Sequence, residues 1–200
     1  MKRAIAYTGL ALSLHGCLNL NLKQILPKIA TYDLNAAQVT PQECPQTKSI
    51  SLVGILSADL LNTKEVVFKN AQGEIHYEKH QQFVDLPKNM LKTMVILQAF
   101  KECIFVSLPP HSALPHATLK LNILSFGILE QGDRQQAEIV LGYDISTPQG
   151  TQTYLVAKHE KISQQPSKGG AEKLEGVMSA LQHVSQQAIQ EVIAQIKKTL

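Results

Sequence analysis

Residues 117–129, ATLKLNILSFGIL, residues 137–147, AEIVLGYDIST, and residues 151–162, TQTYLVAKHEKI, decide the fold of this chain. Apolar side chains fall on alternate positions through much of each segment, which places them on one face of an extended strand. Between the segments lie Glu130-Gln131-Gly132-Asp133 and Thr147-Pro148-Gln149-Gly150, both with the chemistry of hairpin turns. An antiparallel meander of three strands is the expectation. After a loop over Ser163–Gly170 the period changes. Leu174, Val177, Met178, Leu181, Val184, Ala188, Val192 and Ile196 recur at intervals that are nearly all three or four, the stripe of a long amphipathic helix.

Upstream, Glu65–Lys69 and Glu74–Phe83 are rich in Val, Ile, Phe and Tyr and flank Asn70-Ala71-Gln72-Gly73, so they read as an antiparallel hairpin. Asp85 is placed to cap a helix whose first turn accepts Pro87. Leu86, Met90, Leu91, Met94, Val95 and Leu97 give that helix an apolar stripe to about Lys101. Ile29–Leu34, Ser49–Leu56 and Ile104–Leu108 read as shorter strands. Pro41 and Pro45 make Thr40–Pro45 a loop, because proline cannot supply a central ladder. Two single-striped helices and several half-buried strands are satisfied most simply by one arrangement. That is an α+β domain, a largely antiparallel sheet with two helices packed on one face as a two-layer sandwich.

The N-terminus is of another kind. Lys2 and Arg3 precede an uncharged run from Ala4 to Leu14, followed by Gly16 and Cys17. This is the layout of a signal peptide. At about 1.5 Å per residue the run is far too short to cross a hydrocarbon core of roughly 30 Å. Leu14-His15-Gly16-Cys17 resembles the lipobox of bacterial lipoproteins, although His15 stands where a small residue is usual. The resemblance implies cleavage before Cys17, with diacylglycerol on its thiol and an N-acyl chain. Residues 1–16 would then be the signal peptide, 17–28 a lipidated tether, and 29–200 a single periplasmic domain. The precursor carries a formal charge of +3, and +1 once Lys2 and Arg3 are gone, so no electrostatic footprint for nucleic acid exists.

Cys44 and Cys103 remain once Cys17 carries lipid. In an oxidising compartment they can pair as a structural disulfide, or stand as two separate thiols with Cys103 in the core. Nucleophile elbows, phosphate-binding glycine loops, HExxH helices and CxxC pairs are all missing from the sequence, so no catalytic residue and no enzyme activity are assigned. His76 and His80 share a strand face with Glu78 and are the best metal candidates. A solvated face explains them better, since neighbours on one face stand roughly 6–7 Å apart in single file. His111 and His116 in a proline-bearing loop, and His159 and His183 among polar residues, receive no role. No metal and no cofactor are expected.

Three stretches carry a family resemblance: Ala30-Thr31-Tyr32-Asp33-Leu34; Ser49–Ile55; and Asn62–Lys69 with Ile75-His76-Tyr77, His80–Pro87 and Met90-Leu91. With the meander and final helix they resemble the ABC-type transport auxiliary lipoprotein family, which includes the lipoprotein of the paraquat-inducible MCE lipid-transport system. Phe83 stands where that family usually has Trp, and Leu86-Pro87 where it often has two prolines. The resemblance implies a non-enzymatic, membrane-anchored component of an ABC/MCE-type transporter for phospholipid or other hydrophobic molecules. Its partners would be an MCE-domain protein and the ABC permease, with membrane lipid through Cys17. Tyr32 and Phe83 are the candidate partner-binding aromatics. Leu18 is not the Asp that retains many lipoproteins in the inner membrane, so the outer membrane is the expected location. The competing expectation is a lipoprotein cofactor of peptidoglycan synthesis or of lipopolysaccharide assembly.

Overall fold

The computed structural model describes residues 29–35, 43–109, 117–162 and 170–200, with side chains from 176 onward in the last stretch. Leu14, Gly16, Cys17, the tether, His111, His116 and the side chain of Leu174 lie outside the described residues.

The strands are β1 Ala30–Tyr32, β2 Lys48–Ser57, β3 Glu65–Asn70, β4 Ile75–Phe83, β5 Ile104–Ser107, β6 Ala117–Gln131, β7 Arg134–Thr147 and β8 Gly150–Lys161. The helices are α1 Pro87–Lys101 and α2 Gly170–Thr199, and a single 3₁₀ turn, Asp59–Leu61, separates β2 from β3. All eight strands join one sheet. Its long ladders are antiparallel: β6 pairs with β7 and β7 with β8 along almost their full lengths. The fold is the α+β arrangement that the alternation and helix stripes imply. Gly132 occupies the first loop position of the β6–β7 hairpin at φ +61, the placement a type II′ turn requires.

The other flank of β6 is shared. β2 runs parallel to it over Ala117–Ile123, and β3 runs parallel to it over Ile128–Glu130. β2 and β3 thus lie end to end along one strand, with the 3₁₀ turn at their joint. β5 adds in parallel outside β2, β4 adds antiparallel outside β3, and β1 adds in parallel outside β4. These short parallel ladders are additions to the expected meander and hairpin.

β6 is irregular where its flank passes from β2 to β3. Its register with β7 shifts between Ile123 and Ser125, so inward positions pass from Leu119, Leu121 and Ile123 to Phe126 and Ile128. Gly127 follows at φ +153, where an added Cβ would stand 2.3 Å from the Val67 carbonyl oxygen. Only glycine lets β3 approach this closely.

Both helices cover the same face of the sheet and touch each other, α2 lying on β7 and β8 and α1 on β2 and β5. Leu181, Val184, Ala188, Val192 and Ile196 of α2 are fully buried against Ile139, Leu141 and Ile145 in one core. Each such valine, leucine or isoleucine contributes roughly 1.5–3 kcal/mol on burial. The opposite face stays open and carries the exposed side chains of Phe105, Leu124 and Leu155. One expected cap is corrected. The N-cap of α1 is Leu86, because Pro87 occupies the first turn and holds the residue before it extended, at φ −62 and ψ 140. Asp85 sits one position earlier, where its Oδ1 accepts the Leu86 N–H at 2.7 Å and an Asn89 amide proton at 3.1 Å.

Candidate functional site

Tyr32 and Phe83 are neighbours in the β1–β4 ladder, Cα partner to Cα partner. Phe83 is 1% exposed and its ring centroid lies 5.6 Å from that of Phe126. It is a core residue in this fold, which corrects its candidacy as a partner-binding aromatic: the alternation of β4 turns it inward, onto Phe126 of β6. Tyr32 is half-buried against the same core, and its hydroxyl receives a long contact of 3.4 Å from the buried Gln81 amide. Tyr32 keeps some surface; Phe83 has none to offer.

Cys44 and Cys103 form a disulfide with Cα atoms 5.5 Å apart. Cys103 follows the end of α1 at φ +56, the left-handed position that glycine normally takes after a helix. Its N–H donates to the Phe100 carbonyl at 3.0 Å, and its own carbonyl accepts the Lys48 N–H at 3.3 Å. The disulfide and the Lys48 bond hold the start of β2 beside the end of α1.

Each histidine among the described residues faces a glutamate. His80 Nδ1 lies 3.1 Å from Glu78 Oε1, whereas His76 turns to Glu130, 3.9 Å away, and stacks on Phe68. The structure therefore brings His80 to Glu78 but does not bring His76 to the same carboxylate. Burial pushes the Glu78 carboxyl up, but donors from the His80 backbone and ring and the Lys79 N–H leave it below its ordinary value. His159 pairs with Glu138, which also accepts the Ser125 hydroxyl, and His183 pairs with Glu160 across β8 and α2. In the Ser125–Glu138–His159 set the carboxylate sits in the middle. Imidazole cannot take the serine proton, so the order is wrong for nucleophilic catalysis.

A groove between α1 and α2 is a feature that sequence reading misses. Leu34, Met94, Leu97 and Ile189 form its floor, and Asn35, Gln98, Lys101, Gln182 and Gln186 stand around it. Gln182 donates to the Asp33 carbonyl at 2.6 Å and so fixes the turn after β1 to α2. Three separate chain segments supply these residues, which leaves no local pattern by which to find them. The amphipathic stripes alone could have shown only that two helix flanks meet.

The same fold occurs in the crystal structure of protein XCC0632 from Xanthomonas campestris, a DUF330 protein. It superposes with a TM-score of 0.59 at 16% identity, over 86% of this chain and 100% of that one. A crystal structure of an uncharacterized protein superposes with a TM-score of 0.58 at 12% identity, over 82% of this chain and 99% of that one. At such identities the likeness is one of architecture, which many functions can share. No family model matches the chain, and no curated protein does.

Proposed function

We propose that this chain is a periplasmic lipoprotein, anchored to the outer membrane through acylated Cys17, that serves as a non-enzymatic auxiliary component of an ABC/MCE-type transporter for hydrophobic molecules. The observation that carries it is Leu14-His15-Gly16-Cys17 placed directly after a short charged-then-apolar leader. Each buried methylene contributes about 0.8 kcal/mol and a single acyl chain binds only reversibly, so a two- or three-chain anchor confines the protein to the membrane plane. A packed domain whose polar groups pair locally suits a component that acts by position. The motifs from Tyr32 to Leu91 add the resemblance to transporter auxiliary lipoproteins.

Mass spectrometry of the native protein should find a mature N-terminus at Cys17 bearing diacylglycerol and an N-acyl chain. An unmodified thiol there, or a start at Met1, overturns the proposal. Cys17→Ser should move the protein out of the membrane fraction. For the partner, the membrane-solubilised wild type should co-purify with an MCE-domain protein and its permease. Deletion should increase outer-membrane permeability while cell shape is kept; bulging or lysis would point to wall synthesis instead.

A further inference from the structure

The α1–α2 groove has a lopsided chemistry. Its floor is apolar, and three of the four floor side chains, Leu34, Met94 and Ile189, belong to the core. No aspartate or glutamate is among the lining residues. Lys101 supplies a full positive charge, and its ammonium has no carboxylate partner among the described residues. Lys197 at the end of α2 differs: Glu102 holds it at 2.7 Å. His183 also lines the groove, but its Nδ1 is taken by Glu160. The remaining polar groups are carboxamides and the Ser179 hydroxyl, which can donate to or accept from a head group without opposing a negative charge.

A ligand for such a surface must bring an apolar body and an anion. The cavity measures about 230 Å³, half again the roughly 150 Å³ of an apolar cavity that accepts benzene, which corresponds to a chain of roughly eight or nine carbons. Two acyl chains of a membrane phospholipid do not fit in that volume. We propose that the groove binds a single-chain fatty carboxylate, its head group on Lys101 and its alkyl chain along Leu34, Met94, Leu97 and Ile189. This stands independently of the transporter proposal, because the anchor and the groove involve different residues and either can fail alone.

The test uses the full chain in phosphatidylcholine nanodiscs with an eight-carbon fatty acid carrying a diazirine, the photolabel being mapped by peptide mass spectrometry. Label should concentrate in the α1 and α2 peptides that bear Leu97 and Ile189. Octanoate should compete and octanol should not. Lys101→Ala should weaken labelling about tenfold, the effect of losing one charged hydrogen bond. Ser179→Trp, which fills the groove from an exposed position, should abolish it while the thermal melt stays unchanged. Label spread evenly over the chain, equal competition by octanol, or undiminished labelling of both variants overturns the proposal. So does disulfide capture of a second copy through Gln186→Cys, since the groove would then be covered by protein.

Discussion

At Gly127 a single missing Cβ decides whether two strands can meet. Alanine there would overlap the Val67 carbonyl, and overpacking of this kind costs about 1–3 kcal/mol. Gly73 also has a positive φ, +85, but an added Cβ would meet nothing within 4 Å. Its alanine variant should lose only about 1 kcal/mol from backbone strain. Urea unfolding of the two variants should show that order; equal losses would mean that β3 does not press on β6. Tyr143 is a second residue with a measurable signature. Burial, then Glu191 and Tyr154, push its phenol up to about 12. The fold therefore favours the protonated phenol, and its contribution is complete below the ordinary value of 10.0 and is lost as pH climbs to about 12. Tyr143→Phe should flatten the fall in urea midpoint across that window. Neither feature is written locally: Gly127 reads as an ordinary strand glycine, and Tyr143 as one more alternating aromatic. Phe83 shows the converse, for the sequence marks it as an aromatic worth testing and only tertiary packing shows that it is covered.

At the scale of elements, the long periodic segments were the legible ones. β6, β7, β8 and α2 each repeat their pattern over ten residues or more, so one irregularity does not hide the period. The short parallel ladders were not legible, because three or four residues in β1, β3 or β5 carry no signal of which distant strand they join. The 3₁₀ turn at Asp59–Leu61 is three residues long and has no period by which to recognise it. The helix stripe makes a direct prediction. Leu181 is fully buried under α2, so Leu181→Ala should cost about 2–5 kcal/mol. Gln186→Ala, on the exposed side of the same helix, should stay within about 0.5 kcal/mol. Urea denaturation of both separates a packed helix from one that merely lies on the surface.

Across the whole molecule, the Cys44–Cys103 bond spans 59 residues of sequence. Closing a loop of that length removes about 4 kcal/mol of unfolded-state entropy. Cys44→Ser should lower stability by up to about that amount, read from the urea midpoint against wild type without reductant. Wild type with reductant should fall to the same value, and no change in either would mean that the bridge does not constrain the chain. Cysteine parity and compartment made the pairing thinkable from sequence, but only the fold brings β2 and the end of α1 together. The α1–α2 groove is a property of the whole in the same sense, since Leu34, Lys101 and Gln182 meet only after every layer is in place.

The flank of β6 shared by β2 and β3 divides the molecule into a front piece, residues 29–109, and a rear piece, residues 117–200. Among the described residues they meet along the β6 seam of parallel ladders and the α1–α2 contact, with side-chain links such as Gln182 to the Asp33 carbonyl and Phe83 to Phe126 across the same boundary. Severed between Pro109 and Ala117 and mixed as two polypeptides, the halves should recombine into a native-like particle, as a zip closes from separate tapes. Gel filtration and circular dichroism of the mixture against each half alone would show it.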